Sequence, residues 1–141
     1  MPGTPQPITV RHEGGARFAI RTRGHTIHVD QPESGGGEDS APMPLELIGA
    51  ALGSCVALYV SKFCTGRGLS TEGMSVEVEQ QTVRDPYRIG RFRVRVVPPA
   101  GLPPRLVELL ERVATHCPAH YTLGMGAEVD IRIDAPEPML I

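Results

Sequence analysis

The chain has 141 residues, a length that fits one domain and can bury roughly two-thirds of the surface its unfolded form exposes. Its 14 Lys and Arg against 16 Asp and Glu give a formal net charge of −2, and aromatics are 4% with no Trp, so neither the positive charge nor the stacking surface of a non-specific nucleic-acid binder is present. Three cysteines are an odd count and too few for a disulfide framework, which leaves each one as a small buried hydrophobe or a reactive thiol.

Met1 to Pro5 carries no basic stretch followed by an apolar core, so no signal peptide is predicted and a cytoplasmic location is expected. Ile8–Glu13 reads as a short strand stopped by Gly14-Gly15. Ala16–Thr22 and His25–Asp30 follow as alternating strands about an Arg23-Gly24 turn. Pro32 to Pro42, with Gly35-Gly36-Gly37 inside it, reads as a flexible loop; no Lys-Ser/Thr follows, so it is not a phosphate cradle. A long helix is expected from Pro44 to about Thr65, with proline in its first turn and Gly66 and Gly68 at its end. It is apolar nearly all round, which predicts burial at the centre of the fold, and its small middle (Gly49, Ala50, Ala51, Gly53, Ser54) allows close backbone approach. The most apolar run, Leu47 to Val60, is too short to span a bilayer, so no membrane association is expected.

Met74–Arg84 and Tyr87–Val97 are predicted strands joined by Asp85-Pro86. The second alternates Phe92, Val94 and Val96 inward with Arg91, Arg93 and Arg95 outward, a solvated face in a chain of net negative charge. Pro103-Pro104 opens a second helix that Pro118 interrupts, and a short helical piece runs from about Pro118 to Leu123. Ala127–Asp134 alternates Val129, Ile131 and Ile133 with charged residues and reads as a last strand. Residues 1–141 thus form a single α+β domain: strands, a long helix, strands, a helix and a strand.

Cys55 lies mid-helix in an apolar run, the usual setting of an inert thiol. Cys117 directly precedes Pro118 and so stands at a helix N-terminus, where free backbone N–H groups and the helix dipole favour thiolate; a lowered pKa is expected, and His116 beside it could add positive charge. Glu46 is the nearest carboxylate before Cys55, but nine residues on a straight helix put the two half a turn out of phase. It reaches a thiol only across a subunit boundary or a helix distortion; otherwise it simply complements the dipole. Cys64, nine residues after Cys55, reads as an incidental thiol.

The run Pro42-Met43-Pro44-Leu45-Glu46-Leu47-Ile48-Gly49-Ala50-Ala51-Leu52-Gly53-Ser54-Cys55 resembles the helix start and first cysteine of OsmC/Ohr proteins. His116-Cys117-Pro118-Ala119-His120-Tyr121-Thr122-Leu123 resembles their second-cysteine segment, and the upstream strands, the Gly-rich loop with Asp39 and the alternating last strand match in order. The resemblance implies an OsmC-like fold of antiparallel sheets wrapped around a long central helix, an intertwined homodimer, and active sites at the subunit interface. It also implies reduction of organic hydroperoxides by a two-cysteine cycle with no cofactor or metal. Cys55 would attack the peroxide, and Cys117 would resolve the sulfenic acid as a disulfide opened by a dithiol reductant. The two should therefore lie close together, with Cys117 the one that a reductant reaches more easily. A glutamate and an arginine assist the thiol in the family's best-known branches. Here the position ten residues before Cys55 is Leu45 and the glutamate is Glu46 at nine, while Arg17, Arg21 and Arg23 compete for the arginine role, with Arg17 favoured by its place after Gly14-Gly15. These departures place the chain in the looser OsmC-like group. Two other readings remain open: a His/Cys metal site drawing on His116, Cys117, His120, His25 and His28, and a dimeric binding module with a small apolar ligand.

Overall fold

The computed structural model of the protein describes residues 6–140. Three strands, β1 (Thr9–Gly14), β2 (Arg17–Thr22) and β3 (His25–Val29), form an antiparallel sheet in the order β1-β2-β3. Its register places Val10 opposite Ile20, Ile20 opposite Ile27 and Phe18 opposite Val29, so the period-2 pattern puts the apolar side chains on one face and Arg11, Arg17, Ala19 and His28 on the other. That apolar face is covered unevenly: Val29 is buried and Phe18 and Ile20 are half-buried, but Val10 is 55% and Ile27 52% exposed. The sheet's strong contacts are all internal, and α1 (Pro44–Gly66) does not pack on it.

The second unit is better closed. β4 (Ser75–Val83) and β5 (Arg88–Val97) make an antiparallel pair in which Glu77 faces Arg95 and Glu79 faces Arg93 on the polar side, while Val76, Val78, Gln80, Phe92, Val94 and Val96 share the other. α1 lies on this apolar side. The approach is close because it falls on the helix glycines: a Cβ on Gly53 would stand 2.9 Å from Val78 Cγ2, and one on Gly49 would overlap the Gln80 carboxamide. α2 (Val107–Thr115), entered through a single 3-10 turn at Pro104–Leu106, and α3 (Pro118–Met125) also pack against α1. Leu52, Val56, Val60, Phe63, Cys64, Leu110 and Cys117 form the buried core.

Four expectations are corrected. First, α1 is not buried all round. Gly49, Leu52, Gly53, Val56, Val60, Phe63 and Cys64 are buried, but Ile48, Ala51, Ser54 and Leu58 are exposed on the other side, because one chain has no second layer to lay there. Second, the apolar helix is longer than the run Leu47 to Val60: α1 has 23 residues and an 18-residue window of mean hydropathy 1.7, enough by length and composition alone to cross a bilayer, while its packing against β4, α2 and α3 makes it the core helix that the run was expected to be. Third, Ala127–Asp134 is not a strand: it makes no ladder hydrogen bonds, and Val129, Ile131 and Ile133 are 79%, 86% and 91% exposed. An alternating pattern forms a strand only where a neighbouring edge accepts it.

Fourth, the glycine-rich segment is a built loop. Asp30, 2% exposed, accepts hydrogen bonds from the backbone of Gln31 (2.7 Å), Glu38 (3.4 Å) and Ser40 (3.0 Å) and from the Ser40 hydroxyl (2.6 Å). The backbone N–H groups of Gly35 and Gly37 donate to the Pro32 carbonyl, and that of Asp39 donates to Gln31. Gly37 is required: a Cβ there would stand 2.5 Å from Asp30 Oδ1 and collide with the Gln31 backbone. These bonds hold the Asp30 carboxyl well below its ordinary 3.8, at about 2.

Candidate active site

Cys55 sits at the edge of the buried face of α1, between the buried Leu52 and Val56, and is itself half-buried. Cys117 is the N-cap of α3, with extended backbone (φ −65°, ψ 130°) that lets Pro118 occupy the first helical position. It is fully buried and lies against α1 in the same core. The fold brings the two thiols together in the same core, Cys117 within it and Cys55 packed against it, and both are free thiols.

The acidity of Cys117 is the reverse of what its position at a helix start predicts. Burial pushes its pKa up from the ordinary 9.0, and the hydrogen bond to Cys55 and the proximity of a second potential thiolate push it further. The backbone N–H groups of His120 and Ala119 pull the other way and are outweighed. Cys117 therefore keeps its proton and faces Cys55 as an S–H group. The expected ease of access is also reversed: Cys55 has solvent contact and Cys117 has none. His116 does not act on this thiol, since its Nδ1 is bonded to the Arg112 carbonyl (2.5 Å) at the end of α2. His120 is likewise engaged, with Nδ1 2.7 Å from the Thr115 carbonyl and its ring stacked on Tyr121.

The other predicted site residues stand apart from this pair. Glu46 is exposed in the first turn of α1, where its carboxylate accepts the Met43 backbone N–H (2.9 Å) and caps the helix. Arg17 lies on the polar face of the N-terminal sheet, bonded to Glu13 (3.0 Å) and Ser40 (2.7 Å). Arg21 is exposed, and Arg23 occupies the β2–β3 turn with a φ of 47°. Cys64 is fully buried in the core. Among the described residues no three His, Cys, Asp or Glu side chains are placed to share a metal ion.

Beside the thiol pair an open cleft of about 950 Å³ runs between α1, β5 and α2. Leu52, Val56, Phe92, Val96, Leu110 and Ala114 give it an apolar lining; neither Cys55 nor Cys117 is part of its wall. The sequence pattern gave no role to Asp30 and Ser40, which build the loop before α1; an aspartate followed by a Gly/Ser-rich stretch is the one signal that could have found them.

A half-exposed thiol on a central helix, paired with a buried one at the cap of another, defines a dithiol protein of the α+β class. The chain belongs to the OsmC-like protein family, whose model matches residues 36–132. Solved structures share the fold at low identity. A protein of Psychrobacter arcticus 273-4, described as an osmotic stress induced and detoxification response protein, is 19% identical with a TM-score of 0.77 over 86% of this chain and 90% of that one. The OsmC like protein of Mycoplasma pneumoniae is 15% identical with a TM-score of 0.72 over 86% and 88%. The organic hydroperoxide resistance protein OsmC of Legionella pneumophila is 21% identical with a TM-score of 0.58 over 85% and 89%. No curated protein matches the sequence.

Proposed function

We propose that the protein is a thiol-dependent organic hydroperoxide reductase of oxidative-stress defence, working as a cytoplasmic homodimer. The observation that carries this reading is the packing of Cys55 and Cys117 in one core, sixty-two positions apart in the chain. The relative from Legionella pneumophila, named for organic hydroperoxide resistance, supports it through the shared fold. The Cys55 thiolate attacks the distal peroxide oxygen, the O–O bond breaks, and the alkoxide leaves and takes a proton as the alcohol. The resulting sulfenic acid condenses with the Cys117 thiol, releasing water and forming a disulfide. A dithiol reductant reopens it by two thiol–disulfide exchanges, so that one peroxide and one dithiol yield an alcohol, water and one disulfide. The half-exposed Cys55 suits first attack, and the protonated Cys117 suits resolution.

Glu46 and Arg17 are the assisting pair in this reading, acting across the subunit boundary. Both lie away from the thiols of their own chain, and the uncovered apolar faces of α1 and the N-terminal sheet are what a second copy would cover. The test is stoichiometric: addition of one equivalent of an alkyl hydroperoxide to the reduced protein should consume two thiols and form a Cys55–Cys117 disulfide, and unchanged thiols would dismiss the enzyme.

A second reading is favoured by the cleft, which is apolar, open and free of either cysteine. A dimeric binding module would hold a small apolar ligand there. It is distinguished by ligand binding that survives alkylation of every reactive thiol.

A further inference from the structure

Arg17 is held at two points. Its Nε donates to Glu13 Oε1 at 3.0 Å, and its Nη1 donates to Ser40 Oγ at 2.7 Å, across 23 positions of the chain. Glu13 is shared with His28, whose Nε2 is 3.4 Å from the same oxygen. Ser40 is itself fixed: its hydroxyl donates to Asp30 Oδ2 at 2.6 Å and its backbone N–H donates to that oxygen at 3.0 Å.

A hydroxyl has one hydrogen, and Asp30 takes it, so Ser40 presents only lone pairs to Arg17. In the series Asp30–Ser40–Arg17–Glu13, Arg17 thus donates to both sides, to Glu13 and to Ser40, and Ser40 in turn donates its only proton to the buried Asp30 carboxylate. An exposed arginine needs only a surface carboxylate; this one also reaches a hydroxyl whose orientation is imposed from the interior. Two anchors fix the plane of a guanidinium, and three of its five N–H donors remain for a further anion. Ser40 lies four residues before Pro44, so the series also ties the N-terminal sheet to the helix that carries Cys55.

We propose that Ser40, oriented by Asp30, is a positioning residue for Arg17 and sets its guanidinium so that the free donors address, across the subunit boundary, the anionic reaction centre at Cys55. This rests on the peroxidase reading, in which Arg17 is the assisting cation. An aliphatic residue at 40 would leave Arg17 anchored only at Glu13, free to turn about that bond.

The test uses the full-length protein as Ser40→Ala, Ser40→Thr, Arg17→Gln and the Ser40→Ala/Arg17→Gln double variant. Two readouts are taken: kcat/KM with tert-butyl hydroperoxide and dithiothreitol, and the pH midpoint of iodoacetamide alkylation at Cys55. Ser40→Ala should lower kcat/KM by about tenfold, the scale of a hydrogen bond to a charged group, and move the alkylation midpoint upward. Ser40→Thr should restore both, and Ser40→Ala should add nothing in the Arg17→Gln background. A Ser40→Ala protein with the wild-type midpoint and wild-type kcat/KM overturns the proposal, as does full additivity with Arg17→Gln. If the unmodified protein reduces no peroxide, the peroxidase reading fails, and the alkylation midpoints of the four variants still decide whether Ser40 acts through Arg17.

Discussion

Cys117 meets Cys55, sixty-two positions earlier in the chain, as a buried S–H group against a half-exposed sulfur. In the proposed cycle this asymmetry suits Cys55 to first attack and Cys117 to resolution. Cys55→Ser should abolish hydroperoxide reduction. Cys117→Ser should allow a single oxidation, stop turnover with a dithiol, and leave Cys55 as a sulfenic acid open to over-oxidation. A sulfenic-acid probe read by mass spectrometry checks this: label on Cys117 with Cys55 untouched would reverse the roles.

The same burial makes a statement about alkaline stability. The native state holds the Cys117 proton more tightly than the unfolded chain does. The stabilisation this represents is complete below the ordinary thiol value of 9.0 and is lost as pH rises from there through the raised native value. Urea unfolding of the reduced protein should show a falling midpoint above about pH 9, and Cys117→Ala should flatten that slope.

Asp30 sets the opposite limit. Its carboxyl titrates near 2 in the native state against an ordinary 3.8, so the stability it contributes is present above 3.8 and is lost as pH falls from there through about 2. Asp30→Asn should remove this part of the acid transition and raise amide hydrogen exchange across residues 31–40. Unchanged exchange in that segment would show that the loop does not depend on the carboxylate.

The glycine contact between α1 and β4 predicts a result against helix propensity. Alanine is better than glycine inside a helix by about 1 kcal/mol. At Gly53, however, the new methyl would stand 2.9 Å from Val78, and overpacking of this kind costs about 1–3 kcal/mol. Gly53→Ala should therefore lower Tm, and Val78→Ala added to it should recover part of the loss.

Assembly is the remaining prediction. Val129, Ile131 and Ile133 lie bare to solvent in the single chain, as do Ile48 and Leu58 on α1. Sedimentation at micromolar concentration should show twice the 15.2 kDa subunit. Ile131→Ser/Ile133→Ser and Leu58→Lys should each shift the protein toward monomer, and a wild-type chain that sediments as a folded monomer would count against a shared active site.

The parts of the fold that depend on local pattern were legible in the sequence. Strand alternation, Pro44 at the head of α1 and Pro118 at the head of α3 located each strand and α-helix that the single chain forms to within a few residues. What was not legible depends on surroundings. Ala127–Asp134 has a strand's pattern but no edge to join. The triple glycine suggested flexibility, yet the loop is ordered by a carboxylate five residues before Gly35 and by Ser40 after it. At Cys117 the helix-terminal amides were readable and the burial that outweighs them was not, because burial belongs to the packing of α3 on α1. Of the candidate site, the Cys55–Cys117 pairing came from motifs, while the geometry that links Arg17 to Ser40 spans residues no motif joins.

A bond between the two sulfurs would turn the middle of this chain into a ring. β4, β5 and α2 all lie between Cys55 and Cys117, so oxidation would enclose the whole second sheet and leave the N-terminal sheet outside it. For a loop of that length the constraint on the unfolded chain is worth about 4 kcal/mol. The two halves of the molecule would then respond differently to redox state: the enclosed half would resist unfolding when oxidised, while the strands bearing Arg17 would unfold at the same denaturant concentration in either state.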